Sequence, residues 1–334
     1  MRAWQFSSFG IDSLEFVERA TPVAGPGEVL VAVRAVSLNF RDLLMVKGLY
    51  NPRMALPRIP CSDGAGEVID VGPGVTRWKR GDRVAGIVLQ NWFDGPLTRE
   101  RTKGALGGDI DGMLADFIVL REDGLVEIPE HLSFQEAATL PCAAVTAWNA
   151  LVAGDIKPGS TVLIQGTGGV SIFALQFARL RGARVIGISS SHEKLERARA
   201  IGLDDGVNYR EVPRWDRWAM EQTGGEGVDL VVEVGGSGTL PLSLKAVRFG
   251  GTVAQIGVLS GAAEPLEIPM ILHKMARIHG IFVGSRQDFI EMNRAMTLSQ
   301  LRPIGEEFHW TQAREVLEKM EEGSHFGKMV LSVG

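Results

Sequence analysis

The chain has 334 residues, of which 45% are hydrophobic and 22% are charged, and it carries a net charge of -5 at pH 7. That length predicts two domains, each with an ample core, and the acidic balance argues against a nucleic acid or an anionic membrane as the main partner. The only two cysteines, Cys61 and Cys142, exclude a disulfide framework and a cysteine-rich zinc site. The sequence opens directly on an amphipathic strand, and its longest apolar stretch, around residues 139–153, is too short to cross a bilayer. We therefore expect no secretory signal, no membrane span and a reduced, cytoplasmic location.

Residues 1–125 are predicted to form strands and turns. Val29, Val31 and Val33 recur at every second position after the turn Pro26-Gly27, which is the period of a strand. Segments 67–74 and 81–86 likewise place a short strand next to a glycine turn. Residues 91–112 are polar and rich in glycine, which predicts an irregular surface excursion.

From residue 161 onward the pattern alternates between strands and helices. This alternation predicts βαβ units, and hence an α/β fold with a parallel sheet covered by helices on both faces. The expected strands are 184–189, 229–234, 251–257 and 278–284, and the expected helices are 193–201 and 240–247. Beyond residue 285, a helix at 289–298 and a strand at 329–333 are expected to return to the first domain.

Residues 161–182 contain the strongest motif of the chain. A buried strand at Val162-Leu163-Ile164 precedes a glycine turn, and apolar residues then recur at helical spacing until Gly182, which is expected to end the helix. A strand, a glycine turn and a helix form the setting in which such glycines bind a dinucleotide, because backbone N–H groups approach the pyrophosphate at the helix N-terminus. Ser171 replaces the last glycine, so we expect the helix to stand slightly further from the strand. The cofactor-binding candidates of the turn are Gly166, Thr167, Gly168, Gly169 and Val170.

Three stretches carry a resemblance to a known family: GAGEVIDVGPGVTRWKRGDRVAG at 64–86, the glycine-turn segment, and SHFGKMVLSV near the C-terminus. The chain resembles the medium-chain dehydrogenase/reductase superfamily over nearly its whole length, and most of all the zinc-free quinone oxidoreductase-like and zinc-independent alcohol dehydrogenase-like branches. The resemblance implies a GroES-like β-barrel catalytic domain split between residues 1–125 and 285–334. It also implies a Rossmann domain with a doubly wound parallel sheet at 126–284, and a cofactor cleft between the domains. Relatives pair the last strand of that sheet about a two-fold axis, so a homodimer through residues 278–284 is expected.

The resemblance also locates the positions where zinc-dependent relatives hold their catalytic metal with Cys, His and Cys. They are Asn39, Ser62 and Cys142 here. A catalytic zinc needs three protein ligands with nitrogen, sulfur or carboxylate donors, so we predict no metal. Cys142 is either a small buried residue, which we favour, or a ligand or nucleophile. The six histidines show no metal-ligand spacing.

The end of the second Rossmann strand indicates which nicotinamide cofactor is used. NAD selectivity usually requires an acidic side chain there, whereas this chain has Ser189 and Ser190. Small hydroxyls leave room for a 2′-phosphate, and the resemblance places Lys194 and Tyr209 around that phosphate, which favours NADP(H). Alternatively, Lys194 is a solvated helix residue. The remaining cofactor-binding candidates follow or lie in the later strands: Gly257, Val258, Phe282 and Val283.

The segment LNFRDLLMVKGLY at 38–50 resembles the part of zinc-free relatives that faces the nicotinamide. Asn39 is expected to donate a hydrogen bond to a carbonyl oxygen, and Tyr50 to donate to it or relay a proton. The alternatives are that Asn39 only holds a turn and that Tyr50 only lines the pocket. Arg41 and Asp42 are interpreted as a structural pair, and Asp63, at the position of a supporting glutamate in zinc-dependent relatives, as structural.

Together these features predict a reductase that transfers hydride from NADPH to a small unsaturated carbonyl or quinone. The second hypothesis is a zinc-free alcohol dehydrogenase or aldehyde reductase, and the third is a non-catalytic NADPH-binding protein. A small hydrophobic carbonyl substrate is expected. Five apolar residues either line its pocket or belong to the core: Leu44, Trp92, Phe93, Trp148 and Leu259.

Overall fold

The structure is a computed structural model that describes residues 1–261, 266 and 268–334. It contains two compact units: unit 1 is Met1–Val145 with Val283–Gly334, and unit 2 is Thr146–Phe282. The first boundary lies later than the one predicted after residue 125. The reason is that the strand Leu125–Glu127 and the helix Phe134–Ala138 both pack on the sheet of unit 1.

The described strands are, in chain order, β1 (Arg2–Phe6), β2 (Leu14–Glu18), β3 (Glu28–Leu38), β4 (Asp63–Val71), β5 (Arg83–Gly86), β6 (Phe117–Arg121), β7 (Leu125–Glu127), β8 (Thr161–Gln165), β9 (Arg184–Ser189), β10 (Asp205–Asn208), β11 (Val228–Glu233), β12 (Val247–Gln255), β13 (Arg277–Gly280), β14 (Gly305–His309) and β15 (Lys328–Ser332). The described α-helices are α1 (Phe40–Val46), α2 (Phe134–Ala138), α3 (Val145–Ala153), α4 (Gly169–Leu180), α5 (His192–Ala200), α6 (Trp215–Gln222), α7 (Leu240–Ala246), α8 (Ile268–Lys274), α9 (Arg286–Ser299) and α10 (Ala313–Glu322). Across the described ranges, no helix has the length and apolar character needed to cross a membrane.

The main sheet of unit 1 has the strand order β14-β15-β3-β4-β5-β7, and β6 also pairs with β3. β3 is antiparallel to both β4 and β15, with Ser37 opposite Asp63 and Leu38 opposite Met329. The last residues of β3 and the first residues of β4 and β15 therefore meet at one end of the sheet. The pairing of β15 with β3 confirms that the C-terminal strand returns to the first part of the chain.

The strand β3 is buried on both faces, in agreement with its continuous apolar run at residues 29–33. Leu30 and Ala32 are 8% and 5% exposed, and Val31 and Val33 on the opposite face are also buried. The second face is covered because α2 packs on β3 and β4. A strand covered on both faces keeps its backbone rigid, which matters for the side chains held at its end.

Unit 2 contains an all-parallel sheet of order β10-β9-β8-β11-β12-β13. The chain adds β9 and β10 on one side of β8 and then β11 to β13 on the other, so the strand order reverses between β8 and β11. Because crossovers between parallel strands are right-handed, this reversal places helices on both faces. The predicted doubly wound sheet is confirmed, and the carboxyl ends of all its strands lie at one edge, where ligands of such sheets bind.

Candidate active site

The end of the unit 1 sheet brings together three polar residues from distant parts of the sequence. Asn39 directly follows β3, Asp63 begins β4 and Lys328 begins β15. The ammonium of Lys328 donates to Asn39 Oδ1 at 2.6 Å and to the carbonyl oxygen of Leu38 at 2.7 Å, and it lies 3.6 Å from Asp63 Oδ2. Lys328 is 2% exposed and Asp63 is fully buried, so these contacts form in a poorly solvated environment where electrostatic interactions are strong.

The contact with Lys328 determines how the Asn39 amide is oriented. An ammonium group can only donate, so the amide must present its oxygen to it and cannot be reversed. Its other end, Nδ2, is then directed elsewhere; this atom is buried and has no hydrogen-bond partner. Buried donors in proteins are almost always paired, so this one calls for a partner from outside the protein, such as a water molecule or a ligand. Asn39 therefore offers a free, oriented N–H donor.

Two carboxylates and two cations are buried around this amide. Asp42 of α1 accepts hydrogen bonds from the backbone N–H of Asn39 at 2.9 Å and of Ser62 at 3.1 Å. Arg41 Nη1 lies 3.5 Å from Asp42 Oδ1, which confirms the predicted pair. Burial raises the pKa of Asp42, and the guanidinium of Arg41 opposes that rise. Asp63 accepts from the hydroxyls of Ser37 and Ser62, each at 3.3 Å, which supports a structural role for this acid.

Cys61 lies two residues before Asp63. Its backbone has a φ of 75°, a left-handed conformation that residues with a side chain rarely adopt. The turn directs the backbone N–H of the next residue, Ser62, at Asp42. Burial raises the pKa of the Cys61 thiol well above its usual value, so we expect it to stay protonated.

The three positions that the resemblance aligns with zinc ligands are an amide, a hydroxyl and a thiol in this chain. Asn39 is bonded to an ammonium, Ser62 bonds Asp63, and Cys142 is the one sulfur donor. Burial, reinforced by the negative charge of Asp63, raises the pKa of Cys142 to about 12. Within residues 1–261, 266 and 268–334, no three His, Cys, Asp or Glu side chains are grouped to hold a metal ion.

Tyr50 lies in the segment that follows α1, and its side chain is 43% exposed. Its ring centroid is 5.7 Å from the guanidinium carbon of Arg41, the residue that pairs with Asp42. The phenol is therefore accessible and connected to the buried cluster through Arg41, while Leu44, the position of a second tyrosine in some relatives, is half-buried.

In unit 2, the glycine turn connects β8 to α4 as predicted. Gly166 has a φ of 69°, a conformation that favours glycine, and Gly168 is the N-cap of α4. Glycine has no side chain to satisfy the first N–H groups of α4, which leaves them for an anion such as a pyrophosphate. The hydroxyl of Ser171 donates to the carbonyl oxygen of Gln165 at 2.6 Å and so links α4 to the end of β8.

The other cofactor-binding candidates of unit 2 follow neighbouring strands at the same edge. Ser189 ends β9 and is buried, whereas Tyr209 follows β10 and is 39% exposed. The N–H of Tyr209 donates a hydrogen bond to the carbonyl oxygen of Ser189. Ser191 is the N-cap of α5 and accepts from the N–H of Lys194. After β12, Gly257 allows close contact, because a Cβ there would lie 2.2 Å from the carbonyl oxygen of Val234.

The four remaining cofactor-binding candidates are Ser190, Val258, Phe282 and Val283. Val258 and Phe282 are roughly half exposed, and Ser190 is half-buried. Val283, with a φ of 54°, begins the second segment of unit 1 rather than ending unit 2.

Sequence analysis missed a buried carboxylate next to the glycine turn. Glu233 ends β11, is fully buried, and accepts hydrogen bonds from five donors in unit 2: Gln165 Nε2, the N–H groups of Gly235 and Gly236, and the hydroxyls of Thr239 and Ser243. This carboxylate holds the loop after β11 in place beside the turn after β8. The available signal was a polar residue at the end of each of two otherwise apolar adjacent strands, Gln165 and Glu233.

The apolar residues considered for a substrate pocket have mostly structural surroundings. Trp148 packs edge-on against Phe177 in unit 2 and lies under Arg181. Trp92 is 9% exposed, and Phe93 lies against the guanidinium groups of Arg121 and Arg286. Leu259 is 55% exposed. These residues support packing in their own units.

Comparisons with known proteins agree with this architecture. Residues 25–130 match the family model of the alcohol dehydrogenase GroES-like domain, and residues 169–297 match that of the zinc-binding dehydrogenases. A zinc-type alcohol dehydrogenase-like protein of Schizosaccharomyces pombe is 43% identical over 97% of this chain and 96% of its own length. An acryloyl-coenzyme A reductase of Metallosphaera sedula is 28% identical over 95% of this chain and 96% of its own.

Solved structures give the same result. The crystal structure of an NAD-dependent alcohol dehydrogenase has a TM-score of 0.91 and 34% identity, with 100% of both chains covered. A quinone oxidoreductase of Pseudomonas syringae has a TM-score of 0.84 and 29% identity over 99% of both chains.

A GroES-like domain joined to a Rossmann-like parallel sheet with a glycine turn defines a nicotinamide-dependent oxidoreductase. The chain belongs to the medium-chain dehydrogenase/reductase superfamily. The predicted family and fold class are confirmed.

Proposed function

We propose that the protein is a zinc-independent, NADPH-dependent oxidoreductase that transfers hydride to a small unsaturated carbonyl compound or quinone. The observation that carries this proposal is the buried, unpartnered Nδ2 of Asn39, held in place at the position where metal-dependent relatives have a zinc ligand. A carbonyl oxygen is the acceptor that such a donor fits.

The bound nicotinamide supplies the hydride. As hydride reaches a conjugated acceptor, negative charge develops on the carbonyl oxygen, and Asn39 Nδ2 donates a hydrogen bond to it. One well-placed donor of this kind contributes on the order of 3–4 kcal/mol to the transition state. The exposed phenol of Tyr50 donates a second hydrogen bond or passes a proton from solvent.

Some of the relatives have names that support a conjugated acceptor. An acryloyl group and a quinone, named in two of the related proteins, both conjugate a carbonyl with a carbon–carbon double bond, so added charge is delocalised onto oxygen. A hydrogen-bond donor is sufficient assistance for such an acceptor.

Oxidation of an alcohol is the second candidate, because most of the related proteins and solved structures carry the name alcohol dehydrogenase. That reaction must remove a hydroxyl proton as well as a hydride. The groups of the unit 1 cluster are already engaged: Asn39 Oδ1 accepts from Lys328, and the Cys142 thiol has a pKa of about 12. The carboxylates of Asp42 and Asp63 accept hydrogen bonds from backbone N–H groups and serine hydroxyls of unit 1. We therefore place it second.

Steady-state assays test the proposal: NADPH consumption is followed with enones, quinones and aldehydes, and NADPH formation from NADP+ is followed with alcohols. We expect enones or quinones to be reduced with the highest kcat/KM. A higher kcat/KM for simple aldehydes would support the second candidate, and cofactor binding without turnover of any class would support a non-catalytic protein.

Metal content is a separate expected result. The positions that the resemblance aligns with zinc ligands are Asn39, Ser62 and Cys142, which supply an amide, a hydroxyl and a thiol. Purified protein should therefore contain much less than one zinc per chain. Metal analysis by mass spectrometry, with activity measured before and after chelation, checks this. Stoichiometric zinc that is lost in Cys142→Ala would contradict it.

Cofactor preference should depend on Lys194. One related structure is of an NAD-dependent enzyme, so the proposed preference for NADPH rests on this chain's own Ser189, Ser190 and Lys194. Lys194→Ala should weaken NADPH binding by about 1.5–3 kcal/mol, the size of a charge-assisted contact with phosphate, and leave NADH binding almost unchanged.

Titration of both cofactors by fluorescence measures this difference. Lys157→Ala is the matched control, since Lys157 is an exposed lysine before the amino end of β8, the opposite edge of the sheet. Equal losses for NADPH and NADH in Lys194→Ala, or no loss for either, would count against the assignment.

We also propose a homodimer formed through β13. This strand ends the order of the unit 2 sheet, and all four of its residues are exposed. It is shorter than the predicted 278–284, but an exposed edge with Ile278 still offers unpaired backbone groups to a second copy. Light scattering at micromolar concentration should report twice the chain mass of 36.2 kDa; a monomer would refute it.

A further inference from the structure

We propose that Lys328 is a positioning residue: by bonding Oδ1 of Asn39, its ammonium keeps Nδ2 of the same amide free and fixed for the substrate oxygen. This inference rests on the proposed function, since it takes Asn39 as the donor to the substrate. It assigns a specific task to a buried lysine that begins the last described strand.

The first step of the argument is the contact itself. Lys328 Nζ has three N–H bonds; one reaches Asn39 Oδ1 at 2.6 Å, one reaches the Leu38 carbonyl oxygen at 2.7 Å, and Asp63 Oδ2 lies 3.6 Å away. Two of the three N–H bonds are therefore used within unit 1, and the third charge contact is the ion pair with the buried Asp63. The effect of Lys328 on the reaction passes through Asn39.

The second step concerns the amide. An asparagine side chain can rotate by 180° and exchange its oxygen and nitrogen, and nothing in its shape prevents this. Next to an ammonium, however, the rotated amide would place N–H groups against N–H groups and lose a charge-assisted hydrogen bond. Lys328 therefore selects one of two otherwise similar orientations, and the selected one leaves Nδ2 free.

The third step is that Lys328 is itself held rigidly. Its backbone N–H donates to the carbonyl oxygen of Ile304 at 3.0 Å, and the next residue, Met329, lies opposite Leu38 in the sheet. At Gly305, an added Cβ would lie 2.6 Å from the Lys328 carbonyl oxygen, so the neighbouring strand packs closely on it. The ammonium is thus attached to the same sheet as the amide it orients.

A purely structural role is the alternative, in which Lys328 only neutralises the buried Asp63. Two variants distinguish these roles. Lys328→Met removes the charge and the hydrogen bond, while Lys328→Met combined with Asp63→Asn also removes the carboxylate, so no buried charge is left unpaired. The double variant should fold even if the single variant does not.

The first measurement needs neither substrate nor cofactor. In the full-length protein labelled with ¹⁵N, the side-chain amide signal of Asn39, assigned by its loss in Asn39→Ala, should behave as a rigid group. In Lys328→Met with Asp63→Asn, its heteronuclear NOE should fall to the values of exposed asparagines. An unchanged NOE would overturn the inference, because the amide would then be held without Lys328.

The second measurement is a double-mutant cycle on the best acceptor from the substrate panel. The variant that combines Lys328→Met with Asp63→Asn should have a kcat about 10-fold lower than Asp63→Asn alone. Its affinity for NADPH should be unchanged. In the Asn39→Ala background the same change should have less than about a 2-fold effect, since the residue through which Lys328 acts is gone. If Lys328→Met lowers kcat by the same factor with and without Asn39, the two residues act independently and the inference is wrong.

The two proposals can fail separately. A rigid amide that becomes mobile without Lys328, in a protein that reduces none of the acceptors, would overturn the proposed function alone. If turnover depends on Asn39 but the heteronuclear NOE of the Asn39 amide does not change when Lys328 is replaced, this inference alone is wrong.

Discussion

Replacing Asn39 by alanine should lower the turnover number for an enone or quinone by roughly 10²-fold or more, the typical effect of losing one donor to a developing oxyanion. NADPH affinity should hardly change, because Asn39 belongs to unit 1 and the phosphate- and ribose-binding candidates of the glycine turn belong to unit 2. Steady-state kcat together with a cofactor titration separates these two effects. Thermal unfolding of the same variant checks that the fold is retained.

Tyr50→Phe is the matched comparison for that result. The phenol is partly exposed, so water can replace it as a proton relay, and we expect a smaller decrease in turnover. If the variant lacking both groups keeps full activity, then positioning of the two substrates drives the reaction and the catalytic assignment is wrong.

Replacing Glu233 by alanine should lower the free energy of unfolding by more than about 4 kcal/mol, a large effect for one substitution. Five donors converge on this fully buried carboxylate. Three of them keep a second acceptor, but the N–H of Gly236 and the hydroxyl of Ser243 have no other acceptor among the described residues, and each buried donor left unsatisfied costs about 1–3 kcal/mol. Urea unfolding followed by tryptophan fluorescence measures the change.

Two controls accompany the Glu233 variant. Glu233→Gln keeps an acceptor oxygen in place and should be milder, while Glu226→Ala removes an exposed glutamate of the same unit and should change stability by less than about 0.5 kcal/mol. A loss below about 2 kcal/mol in Glu233→Ala would show that water or local rearrangement satisfies the donors. NADPH binding should weaken along with stability, because Glu233 and Gln165 hold the loops after β11 and β8.

The organisation of unit 2 could be predicted because its signals are local in the sequence. The strand 184–189 was predicted with the bounds that β9 has, since a run of apolar residues is typical of a buried parallel strand. The glycine turn was found for the same reason: strand, glycines and helix are consecutive. Short elements with mixed composition, such as α1 and β10, were not predicted, because tertiary contacts rather than their own pattern stabilise them.

The unit 1 cluster could be predicted only in part. Asn39, Asp63 and Cys142 were singled out because the family pattern marks their positions, but nothing in the sequence around Lys328 indicates its partners. Leu38 and Lys328 are separated by 290 residues, and their meeting depends on the register of β3 with β15. A lysine before an apolar strand also occurs on ordinary protein surfaces, so its burial had no local signal.

The position of β15 beside β3 has a consequence for biosynthesis. A ribosome adding about 5–20 residues per second completes Lys328 on the order of 10–50 seconds after Asp63. Throughout that interval one edge of β3 lacks its partner strand and the Asp63 carboxylate lacks its ammonium, while unit 2 is made from a single continuous stretch, Thr146–Phe282. All of unit 2 is therefore synthesised before Lys328 can complete the buried cluster of unit 1.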